Sequence, residues 1–312
     1  MKILPNTIIN FHAVYNKKWM EEVLLLLKSK YNLVSIQEIK DFYYNGSKLK
    51  NSCHITFDDG DKSFYNIDFP LLKNHNIPVS IYVSPSAAKE DRNFWFQEIR
   101  DYDKSKLKDI CSKLLEKSRQ HIEKYPLSAI LKSLKVQTIW NIIREYQKET
   151  GTQSKASINM NVEQLKELHN SGLVSIGAHT QNHPILANET DKAAEDEIKS
   201  SVNQLSEILD TTVEHFAYPN GVPDMDFGQR EIKYLQEAGI KIAFSTENKT
   251  FKSSENTLSI PRNGISYGNK NFVLMKLIAG SKWVFLKKLI KGKQEGEFRK
   301  EVIKNIINLE VV

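Results

Sequence analysis

Residues 51–60 read NSCHITFDDG, a short strand-forming run that ends in two acids and a glycine. A run of this length, bounded by turn residues, is typical of a strand whose two faces are both buried. The next apolar run, IPVSIYV at 77–83, follows a segment with helical spacing at 62–75. The order strand, helix, strand predicts a parallel β/α unit and hence an α/β fold.

The same alternation continues on both sides of this unit. Residues 2–11 form a predicted strand that brings His12 to its carboxyl end. Further strands are predicted at 173–179, 213–219, 240–245 and 257–261, with helices at about 191–209 and 228–238. Between about 91 and 155 the sequence is lysine-rich and helical without a strand signal. We therefore predict a helical insertion at 91–155 between two core units.

The composition is that of an ordinary globular protein. Hydrophobic residues make up 40% of the 312 residues and charged residues 26%. Lysines alternate with acids, so the net charge of +6 predicts no nucleic-acid partner. Cys53 and Cys111 are too few for a disulfide framework. The sequence contains neither a signal-peptide pattern nor an apolar run long enough to span a membrane, which favours a cytoplasmic protein.

Three polar motifs directly follow predicted strands. They are Asp58-Asp59-Gly60, His179-Thr180-Gln181-Asn182-His183 and Tyr218-Pro219-Asn220-Gly221. The loops at the carboxyl ends of parallel strands build the active sites of α/β sheets and barrels. The three motifs can therefore converge on one site although they are distant in sequence.

His179, His183 and a nearby carboxylate have the chemistry of a metal site. Two neutral imidazoles four positions apart can bind one zinc-like ion, and an aspartate can complete the set. Two histidines alone are equally compatible with packing, and Asp-Asp-Gly with a turn that caps a helix. Adjacent residues leaving a strand point in different directions, so one aspartate could bind metal while the other accepts a proton from water. Metal-assisted hydrolysis needs this division of roles.

Taken together, the first two motifs resemble those of a known family. Thr56-Phe57-Asp58-Asp59-Gly60 matches the T-F-D-D-G motif of the polysaccharide deacetylases, the carbohydrate esterases with a NodB homology domain. The segment from His179 to His183 matches their H-[S/T]-x-x-H motif, in the same order and strand context. The resemblance covers nearly the whole chain, with the 91–155 insertion and the C-terminal tail least constrained.

The resemblance implies a distorted (β/α) barrel with fewer than eight regular units and one divalent metal ion, expected to be Zn²⁺. By motif position, Asp59, His179 and His183 become the metal ligands and Asp58 the catalytic base. The implied reaction is hydrolysis of N- or O-acetyl groups on an amino-sugar-containing glycan, in which water activated by the ion attacks the acyl carbonyl. Such an enzyme is a hydrolase of C–N bonds other than peptide bonds. Its partner is an acylated oligo- or polysaccharide.

The third motif departs from the family pattern. That pattern usually reads R-x-P-[Y/W]-G, whereas here Ala217 stands at the arginine position and Asn220 at the aromatic position. We expect Tyr218 and Asn220 to bind substrate. The arginine that orients the base is absent from its usual place. Arg262, which follows the last predicted strand, could supply a charge beside Asp58, and an ordinary surface salt bridge is the equal alternative.

The catalytic acid is also missing from its usual place. The family's late L-x-H motif has no counterpart, because the last histidine of the chain is His215. A branch of the family that includes biofilm-polysaccharide deacetylases has an N-terminal Y-H-type motif, which Phe11-His12 resembles. The resemblance to this branch implies that His12 is the general acid. Its position alone would favour a histidine hydrogen-bonded to backbone.

The C-terminal stretch differs in character from the rest of the chain. Residues 272–293 combine large apolar residues with several lysines and no acid. Such a helix could lie on an anionic membrane surface as a peripheral contact. The interruption at Gly280 and Ser281 favours the alternative, a helix packed on the barrel. We predict a deacetylase domain at 1–270, insertion included, and a basic amphipathic helical tail at 271–312.

Two other functions are compatible with the sequence. One is a deformylase or deacetylase of a lipid-linked sugar in envelope biosynthesis, which a membrane-surface tail would suit. The other is a non-catalytic, glycan-binding member of the fold. The presence of Asp58 argues against this second function, because a binding protein has no use for a catalytic base.

Overall fold

The strands pair in parallel, as the alternation of strands and helices predicts. The structure is a computed structural model that describes residues 4–279 and 293–307, except for the side chains of residues 278 and 279. The strands are β1 (Thr7–Phe11), β2 (Asn32–Leu33), β3 (Ser52–Phe57), β4 (Val79–Val83), β5 (Val174–Ala178), β6 (His215–Ala217), β7 (Ile242–Phe244) and β8 (Asn263–Gly264). Their order in the sheet is β7-β6-β5-β4-β3-β1-β8, with β2 paired to β3 beside this path.

Helices connect the strands and fill the long segment between β4 and β5. The helices are α1 (Lys17–Lys30), α2 (Ile36–Tyr44), α3 (Phe69–His75), α4 (Pro85–Glu90), α5 (Trp95–Glu98), α6 (Lys104–Leu114), α7 (Arg119–Glu123), α8 (Leu127–Leu131), α9 (Val136–Thr150), α10 (Val162–Asn170), α11 (Asp191–Leu209), α12 (Gln229–Glu237), α13 (Lys270–Ala279) and the C-terminal helix (Glu295–Val302). The predicted helices at about 191–209 and 228–238 are confirmed as α11 and α12. The helix predicted at 62–75 is confirmed as one continuous helical segment, which contains a π-helical turn at Phe64–Asp68 and continues as α3.

A short segment before α13 closes the sheet into a distorted (β/α) barrel. On one side of this segment, Ile260 forms a parallel bridge with Phe244 of β7. On its other side, β8 pairs with β1, where Asn263 is the partner of Ile9. β2 and β8 are only 2 residues long each, so the barrel has fewer than eight regular units, as the resemblance implies. The strand predicted at 257–261 is wrong in extent, because within this range Ile260 alone forms a bridge, to Phe244, and the short strand β8 comes after it.

The central strands are buried on both faces. Every residue of β1, β3 and β4 is buried, which is the pattern of parallel strands covered by helices on both sides. The largest hydrophobic cluster includes Ile55 and Ile81 from these strands and Leu205 from α11. This core holds the strands in place, so the residues that follow them start from fixed positions.

The helical insertion has a hydrophobic cluster of its own. The insertion predicted at about 91–155 is confirmed as α5 to α9, between the adjacent strands β4 and β5. Its buried cluster includes Trp95, Ile110 and Ile142 and is extended by Val302 of the C-terminal helix. The C-terminal helix therefore packs on the insertion, against α8.

The predicted tail falls partly outside the described residues. α13 and the C-terminal helix are formed, whereas residues 280–292, which carry much of the predicted membrane-surface segment at 272–293, lie outside. Within residues 4–279 and 293–307, no helix combines the length and the apolar character that crossing a membrane requires. The membrane-surface contact, the cytoplasmic location and the domain boundary near residue 270 stay predictions.

Candidate metal and catalytic centre

The polar motifs begin at the carboxyl ends of neighbouring strands. Phe57 at the end of β3 is the partner of Phe11 at the end of β1, and the backbone N–H of Asp58 donates to the Phe11 carbonyl at 3.0 Å. β4 and β5 end side by side in the same way, and the N–H of His179 donates to the Val83 carbonyl at 3.0 Å. Parallel pairing thus brings the residues that follow β1, β3 and β5 to one rim of the barrel.

Asp59, His179 and His183 bring three possible ligand atoms together. One such atom from each residue lies within 4.8 Å of those of the other two. Nε2 of His183 is 3.2 Å and Nε2 of His179 is 3.6 Å from Oδ1 of Asp59. This buried oxygen has no hydrogen-bond partner in the described part of the chain. Two imidazoles and an unpartnered carboxylate oxygen are a donor set that fits a divalent ion of the zinc type.

The backbone determines which nitrogen of His179 faces this group. Nδ1 of His179 lies 2.6 Å from the carbonyl oxygen of Ala217, the last residue of β6. A carbonyl can only accept a hydrogen bond, so Nδ1 carries the proton and Nε2 keeps its lone pair on the side of Asp59. Ala217, which stands where the family has an arginine, thus contributes through its backbone.

The pKa shifts in the group favour the forms that bind a metal. Burial raises the pKa of Asp59, but the imidazoles of His179 and His183 outweigh it and hold the pKa well below its usual value. For His183, burial lowers the pKa by more than the Asp59 carboxylate raises it. An ionised carboxylate and a neutral imidazole are the protonation states that coordinate metal ions.

Three non-glycine residues of the first two motifs have a left-handed backbone. The φ angle is 75° at Asp59, 62° at Thr180 and 57° at His183. Such angles are uncommon outside glycine and cluster at functional sites, where the surrounding structure must enforce them. The Thr180 hydroxyl accepts from the backbone N–H of His183 at 3.0 Å. This bond closes the loop that brings the second histidine back to the first.

Asp58 forms a bidentate ion pair with Arg262. Nη1 of Arg262 is 2.8 Å from Oδ1 and Nη2 is 2.8 Å from Oδ2. The side chains are 3% exposed for Asp58 and 0% for Arg262, so this is not the surface salt bridge that the sequence left open. Burial raises the pKa of Asp58, but the Arg262 guanidinium and other neighbours outweigh it, and the pKa is lowered. The carboxylate is therefore ionised at neutral pH.

Asn10 also supports Asp58 and is absent from the predicted site. Its Nδ2 donates to Oδ2 of Asp58 at 2.9 Å, and its Oδ1 accepts from Nη1 of Arg262 at 3.3 Å. The sequence does contain an indication of this role, because Asn10 is the one amide within the apolar run TIINF. A polar side chain in a strand buried on both faces needs a hydrogen-bond partner, and the carboxylate of Asp58 on the neighbouring chain segment is one.

The barrel has counterparts among solved structures. The deacetylase PplD from Streptococcus pyogenes, solved in complex with acetate, aligns with a TM-score of 0.59 and 17% identity, over 89% of this chain and 99% of that one. IcaB from Ammonifex degensii aligns with a TM-score of 0.57 and 18% identity, over 84% and 92% of the two chains. At these identities the likeness establishes the fold, which is the distorted barrel that the motifs implied.

Sequence comparisons match the middle and second half of the chain. The family model described as Polysaccharide deacetylase matches residues 125–243, which contain both histidines of the metal group. Over this segment, which is less than half of the chain, the sequence is similar to the polysaccharide deacetylases. A curated member from Escherichia coli strain K12, poly-beta-1,6-N-acetyl-D-glucosamine N-deacetylase, is 29% identical over 118 residues, or 33% of this chain. The match spans 18% of the length of that curated relative.

His12 directly follows β1 at the rim that carries both aspartates. Its side chain is exposed. Burial is the largest influence on the pKa of Asp58 and of Asp59 and raises both, and His12 is among the neighbours whose charge lowers them. The imidazole therefore lies close enough to act electrostatically on both carboxylates.

The third motif, Tyr218 to Gly221, makes internal contacts. Tyr218 is 1% exposed, and its hydroxyl donates to the Leu258 carbonyl at 2.9 Å. Its ring therefore has no surface to offer a substrate, because it is part of the packed core. The Asn220 amide accepts from Nζ of Lys132 at 3.0 Å and donates to Oδ2 of Asp226 at 2.5 Å. Neither residue belongs to the group of Asp59, His179 and His183.

The insertion places two aromatic rings against His183. Phe94 and Phe96, on either side of Trp95, have ring centroids 5.1 and 4.9 Å from that of His183. Neither phenylalanine is a predicted site residue, although the triplet F-W-F is the most aromatic part of the insertion. Apolar groups around metal ligands limit solvent access and lower the local dielectric.

Proposed function

We propose that the chain is a metal-dependent hydrolase that removes N- or O-acetyl groups from an amino-sugar-containing glycan. The observation that carries the proposal is the group of Asp59, His179 and His183 next to the separately held carboxylate of Asp58. The curated E. coli relative is named for N-deacetylation of poly-beta-1,6-N-acetyl-D-glucosamine, which supports an acylated oligo- or polysaccharide as the substrate.

Zn²⁺ is the proposed ion for the metal group. Two histidines and one aspartate leave open positions for water and substrate in the coordination of zinc. When bound, such an ion polarises the acyl carbonyl and lowers the pKa of water. The protein's part is to hold Asp59, His179 and His183 in the orientation and protonation state described above, with Phe94 and Phe96 limiting access of bulk water.

Asp58 is the proposed base that takes the proton from the attacking water. Its lowered pKa keeps it ionised. Oδ2 accepts from both Arg262 and Asn10, whereas Oδ1 accepts from Arg262 and retains a second lone pair that can take the proton. Arg262 and Asn10 act through Asp58 and are positioning residues, because they fix the plane of the carboxylate. Arg262, which is far from Asp58 in sequence, thus takes the role that the resemblance assigns to the arginine missing from the third motif.

His12 is the proposed acid that protonates the leaving nitrogen. An amine leaves a tetrahedral intermediate only after it has gained a proton, and imidazole is the side chain that most readily donates one near neutral pH. The exposure of His12 gives it access to a substrate, and its electrostatic influence on both aspartates supports a position next to the reacting carbonyl.

The two aspartates provide the test. Asp58→Asn should keep the metal and slow acetate release by about 10²–10⁴-fold, because a general base is lost while the ligands stay. Asp59→Asn should lower metal occupancy itself. Both are measured on acetylated oligosaccharides, with the product mass confirming loss of an acetyl group and elemental analysis giving the bound metal.

Asp101→Asn is the matched control for both variants. It makes the same chemical change at an exposed aspartate of the insertion and should leave metal and activity unchanged. Equal loss of metal in Asp58→Asn and Asp59→Asn would refute the division between base and ligand. Full activity in Asp58→Asn would refute its role as base.

A further inference from the structure

A second cleft opens beside His12. Its volume is about 490 Å³, and it lies between the residues that follow β1, the start of α1 and the loop between β8 and α13. Four aromatic side chains line it: Phe11, Tyr15, Trp19 and Tyr267. In the described part of the chain, this lining contains no lysine, arginine, aspartate or glutamate. The cleft therefore suits an uncharged ligand with apolar surfaces.

Two of the rings in this cleft are largely exposed. Tyr15 is 62% exposed and Tyr267 is 70% exposed. Two largely exposed rings that line one cleft next to the proposed acid form an apolar surface that a ligand can cover. A histidine that must reach a substrate would border such a surface.

Tyr267 is exposed and yet held in place. Its ring centroid lies 5.3 Å from that of Trp19, with an angle of 41° between the planes. Nε1 of Trp19 donates to the carbonyl of Gly268 at 2.6 Å, which fixes the loop that carries Tyr267. Trp19 is itself anchored edge-on against buried Phe11, with ring centroids 6.1 Å apart. A ring positioned in advance loses little conformational entropy when a ligand binds.

Tyr15 connects the cleft with the metal loop. Its hydroxyl donates to Oδ2 of Asp61 at 2.9 Å, and Asp61 lies two residues after Asp59. The backbone N–H of Val14 donates to the Ser63 hydroxyl at 3.2 Å, so the loop after β1 and the loop after β3 are joined twice. The cleft and the proposed catalytic centre are therefore adjacent, with His12 between them.

We propose that this cleft is a sugar subsite in which Tyr267 and Tyr15 pack on the pyranose ring next to the one being deacylated. One face of a pyranose consists of C–H groups that pack against an aromatic ring, and a neutral sugar matches a lining without charged side chains. The proposal rests on the proposed function and specifies its substrate. The enzyme acts on a glycan of two or more sugars in preference to an acylated monosaccharide.

Tyr267 variants test the subsite with N-acetylglucosamine and its tetrasaccharide as substrates. Tyr267→Ala should lower kcat/KM for the tetrasaccharide by about three- to ten-fold, chiefly through KM, because one ring contact is lost. Its activity on the monosaccharide should not change. Tyr267→Phe keeps the ring and should behave as the wild type on both substrates.

Tyr44→Ala is the matched control for these variants. Tyr44 is 54% exposed, and its hydroxyl donates to the carbonyl of Lys241 just before β7, at the opposite rim of the barrel. Tyr44→Ala should leave kcat/KM unchanged for the tetrasaccharide and for the monosaccharide. Equal losses on the two substrates in Tyr267→Ala, or an unchanged constant for the tetrasaccharide, would overturn the subsite while the deacetylase proposal stands.

A metal-loaded wild type that releases acetate from no glycan would instead refute the proposed function. The subsite is then decided by calorimetric binding of the same tetrasaccharide. Weaker binding to Tyr267→Ala than to the wild type, by about three- to ten-fold, supports the subsite. Equal binding overturns it.

Discussion

Arg262→Met removes the guanidinium that contacts both oxygens of Asp58 at 2.8 Å. Methionine keeps a long, flexible apolar side chain in the space, so the change is mainly one of charge. What remains is a buried carboxylate whose other side-chain donor in the described structure is Nδ2 of Asn10, at 2.9 Å. The Arg262 side chain is 0% exposed, so the side of the carboxylate that it contacts is closed to bulk water.

The burial of the pair sets how much Arg262→Met should lower the free energy of unfolding. Removing one partner of a buried ion pair lowers it by about 3–5 kcal/mol, because the other charge is left uncompensated. Asp58→Asn alone should cost less, since the guanidinium keeps oxygen acceptors on Asn10, Thr56 and Ser245. In the double variant no charge is left unpaired, so the loss should fall short of the sum of the single losses by about 2 kcal/mol.

Urea unfolding of the wild type, both single variants and the double variant measures this coupling. The protein is kept free of metal, since an ion that binds only the folded state would add to its stability. Arg262→Lys keeps the charge and loses the planar fork, so it should fall between the wild type and Arg262→Met. If the stability loss of the double variant equals the sum of the two single losses to within about 0.5 kcal/mol, the reasoning is refuted, because the losses of residues that do not interact are additive.

Two further variants test the proposed acid and a buried carboxyl group. His12→Ala should fold and bind metal normally but should hydrolyse acetamides slowly. An acetyl ester with a good leaving group should recover much of the rate, and equal slowing on the amide and the ester would exclude the acid role. Asp68 is fully buried without a hydrogen-bond partner in the described chain, and burial, followed by the charge of Asp61, raises its pKa to about 8. The folded state then binds a proton that the unfolded state has released, so stability should fall by about 1.4 kcal/mol per unit between about pH 4 and pH 8. Asp68→Asn should abolish that slope in urea unfolding at several pH values, and parallel curves for variant and wild type would contradict it.

Local patterns predict much of the architecture of this chain. A strand covered on both faces must be almost wholly apolar, and for this reason β3 and β4 are visible in the sequence as the runs NSCHITF and IPVSIYV. The parallel order of the strands and the helical insertion follow from the same alternation. Weak periodicity gives poorer boundaries: the closing segment was predicted as a strand at 257–261, but it forms a bridge at Ile260 and a short strand after it.

The sequence by itself determined which residues end the strands, and therefore that Asp59, His179 and His183 would meet at one rim. That inference needs only parallel pairing, which brings the carboxyl ends of strands together. The tertiary structure alone decided which residues surround them. Arg262 reaches Asp58 across 204 positions of sequence, and it does so because the barrel closes with β8 against β1.

Contacts between elements far apart in sequence leave no local pattern, which is the physical reason that these neighbours could not be predicted. Phe94 and Phe96 reach His183 because the insertion folds back over the rim, and Tyr218 is buried because the loop after β6 packs into the core. A sequence motif identifies which side chains could take part in a site. The packing of the whole chain decides which of them face the site and which become part of the core.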